Sequence, residues 1–246
     1  MNEKRPISAR DLKHALVHIR ALVFGEHAFY DGTGHLTEIL HERAVVFEDE
    51  DVPAVVEELH HEIQHLKRLV HKDELTGALN RRGVREEFGR FFKEALYAKD
   101  HPEHRTNVVI NDFSVIFFDI DDFKRVNDAY GHDEGDRILK AIADTLTRHV
   151  RDIDAVGRLG GEEFVVALLG ADEERAFEKG EKIRMAIAEH IHLKDGASIT
   201  VSVGVASLSH SNAETLETLI DYADKAMYEA KHARGKNAVV RYSELT

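Results

Sequence analysis

The sequence predicts an α/β or α+β domain of about 170 residues behind a shorter segment that is helical throughout. Three observations carry this. Residues 113–120 read FSVIFFDI, a continuous apolar run of the kind that forms a strand buried on both faces. Residues 198–208, SITVSVGVASL, alternate with period two over most of their length. Between them, apolar-rich stretches at 155–159 and 164–169 meet at Gly160-Gly161. Paired glycines between strand-like runs predict a β-hairpin, because glycine adopts φ > 0 freely.

Residues 1–72 contain no convincing strand. Leu12, Leu16, Ile19 and Val23 give an amphipathic helix over 8–24, residues 31–34 (DGTG) a loop, and 35–47 a second helix. From Val52 the pattern sharpens. Val52, Val56, Leu59, Ile63, Leu66 and Val70 alternate spacings of four and three, a heptad seam that predicts either a helical dimer, the reading favoured here, or one core-facing helix of a bundle. Nine of the seventeen histidines lie in this segment, and residues 61–65 spell HExxH. A zinc-peptidase reading fails, because Ile63 lies on the seam and both histidines therefore face away from it. His61 and His65, one turn apart, remain candidate ligands for zinc or another metal, together with His14, His18, His35 or His41. The segment resembles the zinc-binding bundles of chemoreceptors, without their cysteine.

From residue 73 the elements follow one another closely. Gly77 breaks the stalk helix, Asn80 can cap the next, over 84–99, and 101–112 reads as a loop. A strand at 113–120 precedes a short helix over 122–130 and a longer one from about 131 to 150. After the hairpin come a helix over 172–190, the alternating strand, a helix over 214–233 with Leu216, Leu219, Ala223, Ala226 and Met227 on one face, and a last strand near 238–242.

A formal charge of −13 argues against a nucleic-acid backbone as partner. The absence of cysteine excludes disulfides and thiolate zinc sites. No apolar run approaches the ~18 residues of a membrane span, and no signal-peptide core opens the chain, so the expectation is a soluble cytoplasmic protein without a membrane partner.

The chemistry concentrates at two places. Glu162 and Glu163 directly follow the hairpin glycines. That pairing suits a polyphosphate with its metal ions, since bare backbone lets phosphates approach and acids hold hard cations; it also suits an ordinary exposed hairpin. The buried strand ends in Asp119-Ile120-Asp121-Asp122, acids that are costly there unless paired or metal-bound. No GxxxxGK[ST] loop and no strand-to-helix GxGxxG is present. Any phosphates must be held by metal ions, the glycines and lone basic groups.

Six pieces in order resemble the GGDEF family of diguanylate cyclases: DELTGALNRRG at 73–83, FFDIDDFKRVND at 117–128, YGHDEGD at 130–136, RDID at 151–154, GRLGGEEF at 157–164 and DKAMYEAK at 224–231. The resemblance, to a GGEEF variant, implies an α+β fold with a palm-like antiparallel sheet flanked by helices, akin to nucleotide cyclases. It also implies a division into a helical regulatory and dimerisation domain at 1–72 and a cyclase domain at 73–246. The implied reaction joins two GTP into cyclic di-GMP and two pyrophosphates in a homodimer, with two magnesium or manganese ions per half-site. Asp119, the Ile120 carbonyl and Glu162 would hold metal. Glu162 is the candidate base and Glu163 its paired acid. Asn127 and Asp136 match the guanine-reading pair, His132 lines that pocket, Gly160 and Gly161 admit the phosphates, and Lys231 binds phosphate. Where relatives carry a second basic residue on phosphate, this chain offers Arg234 or Lys236. Arg151 and Asp154 match the RxxD product-inhibition site, against the plainer reading of a surface salt bridge. The rival function is an inactive domain that binds GTP or cyclic di-GMP as a receptor; such domains usually lose signature acids that are present here.

Overall fold

The computed structural model describes residues 71–100 and 112–245. The predicted N-terminal helices, the heptad seam, His61 and His65, and nearly all of the predicted 101–112 loop lie outside those residues. The described part begins a compact unit at His71. Its elements are α1 (Arg81–Asp100), β1 (Phe113–Ile120), α2 (Phe123–Tyr130), α3 (His132–His149), β2 (Ala155–Gly160), β3 (Glu163–Leu169), α4 (Glu173–His190), β4 (Val201–Ser207), α5 (Leu216–His232) and β5 (Val239–Arg241), then one 3-10 turn at Tyr242–Glu244.

The sheet runs β2-β3-β1-β4-β5. Its first four strands pair antiparallel, as predicted, and β5 lies parallel to β4, so the sheet is mixed rather than wholly antiparallel. Strand β1 is central and buried along its whole length, which explains its unbroken apolar run. Its alternate residues feed two cores. Ile116, Phe118 and Ile120 pack with Phe123 and Val126 of α2, Ile138 and Ile142 of α3, and Ile183 and Ile187 of α4. Phe113, Val115 and Phe117 pack with Val84, Phe88 and Phe92 of α1 and Leu219, Ala223 and Met227 of α5.

Helices α1 and α5 start more than one residue from the predicted positions. Helix α1 begins at Arg81, three residues before the predicted 84, because Asn80 is its cap: its Oδ1 accepts from the Gly83 amide at 2.9 Å. Helix α5 begins at Leu216, with Thr215 accepting from the Thr218 amide at 3.1 Å. Strand β4 occupies only Val201–Ser207 of the predicted 198–208; Ser198 instead bridges to His192.

The position of α5 is set by Gly204. A Cβ there would stand 2.0 Å from the Ala223 carbonyl oxygen and 2.1 Å from the Met227 nitrogen, so the helix lies directly on the β4 backbone. Lys231 follows Met227 by one turn and is carried to the end of β1. Gly204→Ala is expected to destabilise the protein by about 1–3 kcal/mol through overpacking against main chain. Urea denaturation of wild type and variant measures it.

Candidate active site at the end of the central strand

Asp119 is the last residue of β1 on the α1–α5 side, and only 6% exposed. Directly across β3 stands Glu163. Gly160 belongs to β2 and pairs with Glu163, so the reversal falls on Gly161 and Glu162 rather than on the glycine pair. Gly160 and Gly161 have φ of 146° and 51°, values that favour glycine at this tip. The carboxylates therefore come from two strands and the turn joining β2 to β3.

One ammonium faces them. Lys231 Nζ lies 2.5 Å from Asp119 Oδ1. Burial nevertheless pushes the Asp119 carboxyl above its ordinary range despite Lys231, with Glu162 and Asp121 pushing the same way. Burial works to depress the Lys231 ammonium, but its bond to Asp119 and the nearby Glu162 and Asp121 outweigh that and raise it. Glu163 is raised by burial first, then by Asp119, Asp224 and Glu162, with only Arg81 opposing. Asp119 is thus raised first by burial, whereas Lys231 is raised by the carboxylates around it, which outnumber it. Hard oxygen donors in such excess fit a divalent cation, and the lysine ammonium stands in for part of its charge. Among the described residues, no three such groups already stand close enough together to hold an ion.

Two arginines that do not stand out in the sequence brace the hairpin. Arg81 donates to the Leu159 carbonyl at 3.1 Å. Arg158 donates to the Gly161 carbonyl at 3.0 and 2.8 Å and to Asp73 Oδ1 at 3.0 Å. Asp73 also caps its own turn, accepting from the Thr76 amide and hydroxyl at 3.0 and 2.6 Å. The Leu79 amide and carbonyl bond to Val156 and Arg158 of β2. The DELTGALNRRG stretch is thus a clasp that ties the domain entrance to the hairpin tip.

The nucleotide-side residues lie on α2 and α3. The Asn127 side chain rests on Gly135, where a Cβ would stand 2.0 Å from Asn127 Oδ1. Asp136 follows on α3 and is exposed, as is His132 at the same helix's start. Arg234 reaches Glu244 at 3.3 Å, away from the acids, whereas Lys236 meets Asp122 at 2.8 Å, beside the end of β1.

A family model described as "Diguanylate cyclase, GGDEF domain" matches residues 70–237. The chain belongs to the GGDEF family. It is 36% identical over 186 residues to the response regulator PleD of Caulobacter vibrioides, covering 74% of this chain and 38% of PleD. The chain therefore spans well under half the length of that relative. Among solved structures, the active GGEEF domain of a diguanylate cyclase from Vibrio cholerae superposes with a TM-score of 0.58 at 33% identity, covering 66% of this chain and 96% of that one. The GGDEF domain of DgcB from Caulobacter crescentus, in complex with c-di-GMP, gives 0.60 at 26% identity, covering 70% and 93%.

In this GGDEF domain the RxxD residues are closed on each other. Arg151 Nε and Nη2 donate to Asp154 at 3.0 and 2.8 Å, and Nη2 also reaches the Leu169 carbonyl at 2.7 Å. Asp154 additionally accepts the Arg151 and Leu169 amides at 3.0 and 3.2 Å. Its side chain is 1% exposed, while that of Arg151 is 56% exposed. Asp154 therefore holds the loop together, and Arg151 is the group within reach of a ligand.

Glu163, raised when folded, contributes stability below its unfolded pKa and loses it as pH rises through the folded value. Glu163→Gln should thus melt higher than wild type at pH 7.5, and the difference should vanish on acidification below the ordinary glutamate range. Thermal melts across that pH series check the sign.

Proposed function

We propose that this chain is a diguanylate cyclase that condenses two GTP into cyclic di-GMP and two pyrophosphates. The observation that carries the reading is the placement of Asp119 opposite Glu163 beside Glu162, with Lys231 bonded to Asp119. In the reading, Asp119, the Ile120 carbonyl and Glu162 hold magnesium or manganese, two per half-site. The bound ions supply Lewis-acid polarisation of the α-phosphate and offset the charge of the triphosphate.

The chain's own residues do the remaining work. Asn127 and Asp136 hold the guanine edge, which an adenine would leave unsatisfied, and His132 lines that pocket. Lys231 binds the phosphates, and Lys236 serves beside it; what supports Lys236 over Arg234 is its position next to Asp122 at the strand end. Gly160 and Gly161 let the phosphates approach the backbone. In each condensation the 3′-oxygen of one GTP forms a bond to the α-phosphorus of the other. The bond from that phosphorus to the pyrophosphate oxygen breaks, and pyrophosphate leaves with the electron pair. The hydroxyl proton passes to a carboxylate: Glu162 is the base, and Glu163, with its raised proton affinity, its partner. A second condensation with roles exchanged closes the ring.

Each subunit holds one GTP, so the enzyme works as a homodimer. Residues 1–72 are the helical regulatory and dimerisation domain, paired through Val56, Leu59, Ile63 and Leu66, with His61 and His65 as a metal-responsive input. Product binds at Arg151 and Asp154 and inhibits.

The test is purified protein with GTP and magnesium, with cyclic di-GMP quantified by chromatography. Wild type is expected to form it, and a wild type that only binds GTP would overturn the reading. Glu162→Gln should lose at least about a hundredfold in turnover, roughly 2.7 kcal/mol of transition-state stabilisation, without loss of folding. Arg151→Ala should raise the cyclic di-GMP concentration needed for half inhibition about tenfold or more, the effect of one charge-assisted contact, with GTP turnover retained. Inhibition curves on that variant decide it. Asp154→Ala does not serve, since its carboxylate anchors the loop.

A further inference from the structure

We infer that Asp121 is a positioning residue: it fixes the loop at 233–238, which carries Lys236 and continues the helix bearing Lys231, onto the end of the sheet. Asp121 is the first residue after β1 and is 6% exposed. Its amide donates to the Thr200 carbonyl at 3.0 Å. Its carboxylate accepts from Thr200 Oγ1 and Ser202 Oγ, both at 2.7 Å, and from the Asn237 amide at 3.1 Å. One buried side chain thus joins the end of β1, the start of β4 and the loop entering β5.

The loop needs such a hold. Gly235, Lys236 and Asn237 have φ of 80°, 70° and 47° in succession. A run of left-handed residues is unfavourable for residues with a Cβ and persists only where the surroundings over-determine it. Other ties include the Val203 amide on the Ala238 carbonyl at 2.9 Å, the Lys236 amide on the Ala230 carbonyl at 3.1 Å, Arg184 Nη1 on Asn237 Oδ1 at 2.7 Å, and Lys236 Nζ on Asp122 at 2.8 Å. The ties from Arg184 and Lys236 are exposed side-chain bonds, whereas Asp121 holds main chain from the buried side. Its carboxylate is already committed to three donors, so its role is through the loop rather than on a ligand.

An amide distinguishes the two roles. Asparagine at 121 can accept from Thr200 and Asn237 through its oxygen and donate to Ser202 Oγ, because a hydroxyl both gives and takes. The clasp survives in Asp121→Asn and is lost in Asp121→Ala, whereas a charged contact with metal or substrate would be lost in both.

The experiment uses the full chain and both variants, with hydrogen exchange over 232–238 and steady-state kinetics on GTP. Asp121→Ala is expected to exchange that loop about tenfold faster and to raise KM for GTP about tenfold, with kcat changed less than about threefold. Asp121→Asn is expected to restore both. Unchanged loop exchange in Asp121→Ala, or an Asn variant as impaired in KM as the Ala variant, overturns the inference. If Asp121→Ala does not fold, the double variant Thr200→Val with Ser202→Ala removes the two hydroxyls that hold the carboxylate against the Asn237 amide, and unchanged loop exchange there overturns the inference equally. The kinetic arm rests on the cyclase reading and the exchange arm does not. A wild type that makes no cyclic di-GMP sinks that reading while loop exchange still judges Asp121.

Discussion

The constraint on which this domain turns is an excess of negative charge at the dry end of its central strand. Asp119 stands one residue before the end of a strand covered on both faces, where an unpaired carboxylate would be held neutral or would pull the structure apart. Lys231 is bonded to it, yet burial, with Glu162 and Asp121 adding to it, still pushes Asp119 upward, and the bond to Asp119 with the same two acids raises Lys231. A pocket built only for stability would balance its charges. Leaving it under-neutralised sacrifices some stability and retains an appetite for cations, the usual relation between a functional site and its scaffold.

The rest of the fold can be understood as delivering that corner. Gly204 lets α5 sit on the β4 backbone, which fixes the height of Lys231 against β1. Gly157 does the same for α1, since a Cβ there would stand 2.1 Å from Val84. That close approach lets Leu79 bond to β2 and Arg81 reach the hairpin. Arg158 then spans from the hairpin tip to Asp73. The glutamates are held from below by strand pairing and from the side by a salt bridge to the first turn of the domain.

Much of this was legible in the sequence because it obeys local rules. The buried run of β1, the glycine hairpin, the helical faces and the acids at 119, 162 and 163 follow from periodicity and composition. The parallel placement of β5 was not, since three residues, VVR, say nothing of direction. The start of α1 was misplaced because the cap bond of Asn80 was not used to count forward to Arg81. Asp121 was hidden by its neighbours: in Asp119-Ile120-Asp121-Asp122 the first acid faces the site, the second accepts from Thr200, Ser202 and the Asn237 amide, and the third is exposed and left-handed at φ 55°. No spacing rule separates three acids whose partners lie about eighty or more residues away. The RxxD pair was legible as a motif, but its unequal exposure depends on packing beside Leu169.

That inequality bears on how product could act. The Arg151 loop opens β2, and Glu162 and Glu163 stand beyond its far end, with β3 returning alongside. Six residues of strand at about 3.3 Å each separate them by roughly 20 Å. On the cyclase reading, a ligand held by Arg151 therefore sits apart from Glu162 and the GTP site. On that reading, two routes remain. The ligand can fix the orientation of one catalytic domain against its partner, so that the two loaded half-sites fail to meet. It can also break the Arg151 bonds to Asp154 and Leu169 and so loosen the β2–β3 ribbon at its open end. The second route works against a ribbon pinned at its other end by Arg158 and Asp73 and packed between β1 and α1. Loosening would have to travel through main-chain pairing that is buried over most of β3. The first route asks only that a ligand large enough to protrude from an exposed loop meet a second surface. On the cyclase reading, the physical balance favours inhibition by domain orientation over inhibition by distortion.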